Sequence, residues 1–123
     1  MDASNNQQLV DRLRSLKADS SDIEGSMIIN VDGLSIASAL PRAVAEDRVS
    51  AMSAAMLSLG RRIARDLGRG TLEQVYVKGQ NGFVILMSAG EKAVLTTLVT
   101  EKAKMGLVFL DMHRAADDLL KLI

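Results

Sequence analysis

The feature that most constrains this chain is a helical pattern running from Glu46 to Leu67, roughly 33 Å from end to end. Val49, Met52, Met56, Leu59, Ile63 and Leu67 recur at steps of three and four residues and share one sector of the helical wheel, which reads as a core-facing stripe. The opposite sector carries Ala51, Ala54 and Ser58, small enough for another backbone to come close, and then turns basic with Arg61, Arg62 and Arg65. The helix thus reads as packing inward on its own domain and outward on something else. Its ends are marked as well: Glu46 and Asp47 in the first turn and arginines in the last two complement the helix macrodipole, and Gly68 stops it. Burying the stripe would contribute on the order of 10 kcal/mol before chain entropy is subtracted, so this helix is expected to dominate the core.

The chain has 123 residues, the size of one domain with a real core, and it is read as a single domain over 1–123. Fifteen basic and fifteen acidic side chains give a formal net charge of zero, so no global field draws it to nucleic acid or an acidic membrane surface. Aromatics are limited to Tyr76, Phe83 and Phe109, which leaves no platform for stacked bases. Without cysteine there is neither a disulfide framework nor a thiolate metal site. The first residues are polar, not basic and then apolar, and no run is long enough for a membrane span, so a cytoplasmic protein without membrane insertion is the expectation.

Around the long helix the remaining elements follow in order. Leu9, Leu13 and Leu16 mark a first helix with a narrow apolar edge. A β run over Ser26–Val31 leads into Asp32-Gly33, which predicts a two-residue type I′ hairpin, and the return strand ends at Pro41. Beyond the helix, Val75 and Val77 alternate with polar residues in a half-buried third strand, whereas Phe83–Met87 is apolar throughout and reads as an interior strand. Val94–Val99 forms the fifth strand, and Thr100 is placed to cap a last helix with its stripe at Met105, Val108, Phe109, Met112, Ala116, Leu119 and Leu120. The order αββαβββα, with all strand links but one tight, predicts an α+β sandwich: an antiparallel five-stranded sheet with helices packed on its faces.

Chemistry is sparse. His113 is the only histidine and has no triad-like company, so no catalytic set, metal site or cofactor is expected. Gly68-Arg69-Gly70-Thr71 follows a helix instead of a strand and lacks Gly-Lys-Ser/Thr, which makes it a helix stop and not a phosphate loop.

Taken together, the segment from Ile23 to Ser38, the Ala- and Met-rich long helix, the segment from Gly70 to Val77 and Met105–Val108 resemble the roadblock/LC7 family, over nearly the whole chain. The resemblance implies a profilin-like αββαβββα fold and a homodimer in which long helices pair and third strands join two sheets. Ala51, Ala54 and Ser58 would then form the helix seam, with Glu73, Val75 and Val77 on the joined strand. The type most similar, the bacterial MglB-type regulators, acts on Ras-like small GTPases of the MglA type, which implies a non-catalytic GTPase regulator or adaptor. Leu57, Arg61 and Arg65 are the residues assigned to the GTPase surface. A small-molecule-sensing domain, with Asn30 and Thr97 as the polar residues facing a pocket, and a dynein-light-chain-like scaffold are the alternative readings.

Overall fold

The computed structural model describes residues 3–123. It contains α1 (Ala3–Asp19), β1 (Ile23–Asn30), β2 (Ser35–Ala39), α2 (Glu46–Asp66), β3 (Gln74–Gly79), β4 (Gly82–Ala89), β5 (Ala93–Val99) and α3 (Met105–Leu122). The strands form one antiparallel sheet in the order β2-β1-β5-β4-β3, as the αββαβββα pattern predicts. The β1–β2 hairpin and the β3–β4–β5 meander join through β1 against β5, which leaves β2 and β3 as the two edges.

Each sheet face has its own core, because side chains alternate between faces along a strand. On one face Ile28, Ile85, Met87 and Leu95 meet Leu9, Leu13 and Leu16 of α1 and Val108, Met112, Ala115 and Leu119 of α3. The Arg12 Nε to Asp118 Oδ2 contact, 2.8 Å, ties the two helices together at their outer edge. On the other face Met27, Ile29, Leu86 and Val94 lie beneath α2, which contributes only Val49 and Leu57 to the buried apolar set. The expectation that the long helix dominates the core is therefore corrected: α1 and α3 supply most of the buried helical side chains.

Two local predictions also change. Gly33 has φ +91 but Asp32 does not have positive φ, so the hairpin is not type I′. Instead Gly33 N–H donates to the Asn30 carbonyl (3.0 Å), the Asn30 side-chain oxygen accepts from the backbone N–H of Asp32 and Leu34, and the register slips one residue between Ile28 and Ile29. That asparagine supplies the turn locally, so the second positive φ is not needed. Thr100 does not cap α3, which begins later at Met105 behind Lys104; Thr100 N–H instead bonds the Asp22 carbonyl, and the Asp22 carboxylate takes the Lys104 N–H. The stop at Gly68 stands: with φ +69, it donates to the Arg65 carbonyl while Arg69 N–H donates to Ala64, the paired bonds of a Schellman cap.

Candidate partner-binding surfaces

The side of α2 that meets the sheet is small and partly polar. Ser50 and Ser53 are buried beside Val49 and Leu57, and Thr96 Oγ1 of β5 donates to Ser53 Oγ at 3.1 Å. Small side chains here let the helix sit low: a Cβ at Gly60 would stand 2.8 Å from Val75 Cγ2 on β3. The core face of the helix is therefore set by closeness of approach, and large apolar residues are displaced to its flank.

That displacement overturns the assignment of the apolar stripe. Met52, Leu59, Ile63 and Leu67 are 53%, 60%, 50% and 67% exposed, and Met56 is half-buried; of the six stripe residues only Val49 is buried. Hydrophobic periodicity identified a real stripe but not what covers it. On the helical wheel the stripe adjoins Gly60, so it lies on the β3 side of the helix. Beside it runs β3, an edge strand with Tyr76 and Val77 about half exposed.

The residues assigned to self-association fall into two separate places. Ala54 faces the β1–β2 turn, where a Cβ at Gly33 would stand 3.1 Å from its methyl group, and Ala51 and Ser58 are exposed on that same hairpin side. Glu73, which is exposed, precedes β3 and accepts the Ser88 N–H on its carbonyl; Val75 is half-buried beneath α2 and Val77 is exposed. The small-residue sector and the strand edge thus lie on opposite sides of α2 and do not form one patch. Met52, Leu59 and Ile63 are the residues that adjoin the β3 side, and the sequence signal for them was the serine and glycine content of the neighbouring sector.

Leu57 requires correction as a partner contact: it is 3% exposed and packs among Met27, Ile29 and Val94. Arg61 and Arg65 do reach the surface. Arg61 Nη2 donates to the Glu91 backbone carbonyl at 3.2 Å, and both arginines line a cleft of about 780 Å³ between the end of α2, the Gly68–Leu72 segment and the β4–β5 turn. Across the sheet, Tyr76, Phe83 and Phe109 gather in one cluster with ring centroids 6.4 Å apart for Tyr76–Phe83 and for Tyr76–Phe109. His113 is exposed on α3. Among the described residues no group of three or more His, Cys, Asp or Glu side chains is placed to hold a metal ion, and no helix is long and apolar enough to cross a membrane.

Comparison with known proteins fits this geometry. The chain is 42% identical over 95 residues to an uncharacterized protein of Methanocaldococcus jannaschii, a match spanning 77% of this chain and 82% of the relative. Its fold is similar to that of MglB from Myxococcus xanthus, with a TM-score of 0.89 at 18% identity over 100% of this chain and 96% of the other. It is also similar to the gliding protein MglB of Thermus thermophilus, with a TM-score of 0.86 at 19% identity over 99% and 93% of the two chains. At such identities these two structures speak for the fold. Residues 9–99 match the model of the Roadblock/LC7 domain, a non-catalytic scaffold, and the chain belongs to the Roadblock/LC7 family.

Proposed function

We propose that this protein is a cytoplasmic homodimer that binds and regulates a Ras-like small GTPase of the MglA type, as a GAP-like regulator or an adaptor. The observation that carries the dimer is the exposed stripe Met52, Leu59 and Ile63 lying beside the open edge of β3. Large apolar side chains grouped on one helix flank mark an interaction site, and an uncovered strand edge offers unpaired backbone groups to a second copy. A two-fold axis between them would satisfy both at once, with Val75 and Val77 on the joined strand. Pairing along this flank would turn the Arg61 and Arg65 sides of the two helices outward, toward the GTPase. The resemblance in fold to MglB from two bacteria supports the choice of partner class. Of the two candidates of the sensor reading, Asn30 spends its side-chain oxygen on the hairpin turn, whereas Thr97 is buried opposite Ser26 with its hydroxyl unpartnered among the described residues and keeps that reading as the alternative.

The test is a pull-down of Ras-like GTPases from the source genome, loaded with GDP or a non-hydrolysable GTP analogue, alongside the solution mass of the bait. A dimer that retains one GTPase in a nucleotide-dependent manner is expected. A monomeric bait, or a dimer that retains none of them in either state, would overturn the reading.

A further inference from the structure

The cleft beside the end of α2 has a composition that the dimer does not account for. Arg61 and Arg65 line it, and Arg62 and Arg69 add to the same basic run of nine residues in a chain of zero net charge. Their internal compensation is thin. Asp66 is shared between Arg65 Nε at 3.5 Å and Arg62 Nε at 3.8 Å, both long beside the roughly 2.7–2.9 Å of a strong charge-assisted hydrogen bond. Arg61 is engaged by a neutral acceptor, the Glu91 carbonyl at 3.2 Å. Each guanidinium carries five N–H donors in a planar fork, so Arg61 and Arg65, one turn apart on the cleft wall, hold donors in reserve for an anion.

The rest of the lining restricts what that anion is. Leu72 offers an apolar floor, Gly68, Gly70 and Gly90 present backbone without side chains, and there is no aromatic ring on which a base could stack. Glu91 is one of the lining residues, and its negative charge nearby opposes a phosphate dianion about twice as strongly as a carboxylate. A planar carboxylate beside an apolar residue meets all of these conditions.

We infer that this cleft is a socket for an acidic segment of the partner protein, in which an Asp or Glu carboxylate is gripped by Arg61 and Arg65 and a neighbouring apolar side chain rests on Leu72. The inference rests on the GTPase-platform reading for the identity of the partner, but the chemistry of the socket is independent of it. An anion held on the spare Arg61 donors sits beside the Arg61–Glu91 carbonyl bond, so the β4–β5 turn reports binding.

The experiment uses the full chain and a fluorescein-labelled peptide, Gly-Leu-Glu-Glu-Leu-Gly, with Gln-Gln and phosphoserine counterparts, read by anisotropy at about 25 and about 200 mM salt. The glutamate peptide is expected to bind and the glutamine peptide not, with affinity falling steeply at the higher salt. Arg61→Gln with Arg65→Gln should weaken binding by about tenfold or more, whereas Arg14→Gln on α1 should leave it unchanged. Glu91→Gln should tighten it severalfold, and the Glu91–Lys92 amide resonances should shift on titration. Arg65→Gln alone, which removes no backbone contact, guards against a double variant that folds poorly. Equal binding of the glutamine peptide, indifference to the arginine substitutions, or tighter binding of the phosphoserine peptide would overturn the inference. A GTPase captured equally well by the double variant would sink the socket and leave the platform reading standing. Arginine-dependent peptide binding without capture of any GTPase would do the reverse.

Discussion

Replacing Leu59 by arginine separates two roles that one helix flank could play. Leu59 is 60% exposed in the single chain, so most of the free energy available from burying a leucine, about 1.5–3 kcal/mol, is not collected in the monomer. Folding of the isolated chain should therefore lose no more than about 1 kcal/mol, since the exposed arginine head reaches water and its stem still covers the flank. In a two-fold dimer the same residue counts twice. Covering the remaining leucine surface in both copies is worth about 2–4 kcal/mol, and the substitution also brings two cations together at a drying seam. The expected result is dimer dissociation weaker in affinity by at least about a hundredfold, with circular dichroism unchanged. Sedimentation equilibrium across a micromolar range measures it, and thermal melting at two protein concentrations checks the linkage between association and stability. A Leu59→Arg protein that is as dimeric as the wild type would refute the placement of the seam on this flank. One that fails to fold at all would show that the helix is turned in the monomer as the periodicity alone had suggested.

Three further outcomes follow from the packing. Leu13→Ala removes a fully buried side chain between α1, α3 and the sheet and should cost about 2–5 kcal/mol in urea unfolding, more than any stripe substitution. At the α2–β5 contact, Thr96→Val alone strands the Ser53 hydroxyl and should cost about 1–3 kcal/mol, while Thr96→Val with Ser53→Ala should recover part of that loss; a strictly additive double-mutant cycle would show that the 3.1 Å bond contributes nothing. Gly68→Ala places a side chain at φ +69 in the Schellman cap and should destabilise by about 1 kcal/mol, visible as a lowered melting temperature without loss of helix content.

Much of the architecture was legible because its signals are local. Period-two alternation in β3, the unbroken apolar run of β4 and the helix stop at Gly68 each state a backbone preference that the tertiary structure has no reason to override. The hairpin was found for a partly wrong reason, since Asn30 closes the turn by accepting two backbone N–H groups, an interaction that depends on side-chain geometry and not on the Asp-Gly pair. The orientation of α2 was not legible. A hydrophobic stripe records that water is to be excluded from those residues, but the excluding surface can belong to another molecule. Ser50, Ser53 and Gly60, to which the periodicity argument assigns no role, were the informative residues, because only a small face lets a helix lie so close to Thr96 and Val75. Misplacing that face moved Leu57 outward and left Ala51, Ala54 and Ser58, assigned to a helix seam, on the side of the helix away from β3. The role of Asp118 was likewise hidden, since its partner Arg12 lies at the other end of the chain.

The separation of the two cores by a single sheet gives the protein two tiers of cooperativity. Amides of β1, β4, β5, α1 and α3 are locked by the deeper apolar cluster and should exchange with solvent deuterium only through global unfolding. Helix α2, held by two large buried side chains and a hydroxyl contact, can lift as a unit at lower free energy while the rest remains native. Its exchange rates should thus depend less steeply on denaturant than those of α3, and any partner that covers the Met52–Ile63 flank should slow them while leaving α1 untouched. The long helix is in this sense the soft element of the fold, the one whose stability a covering partner would raise most.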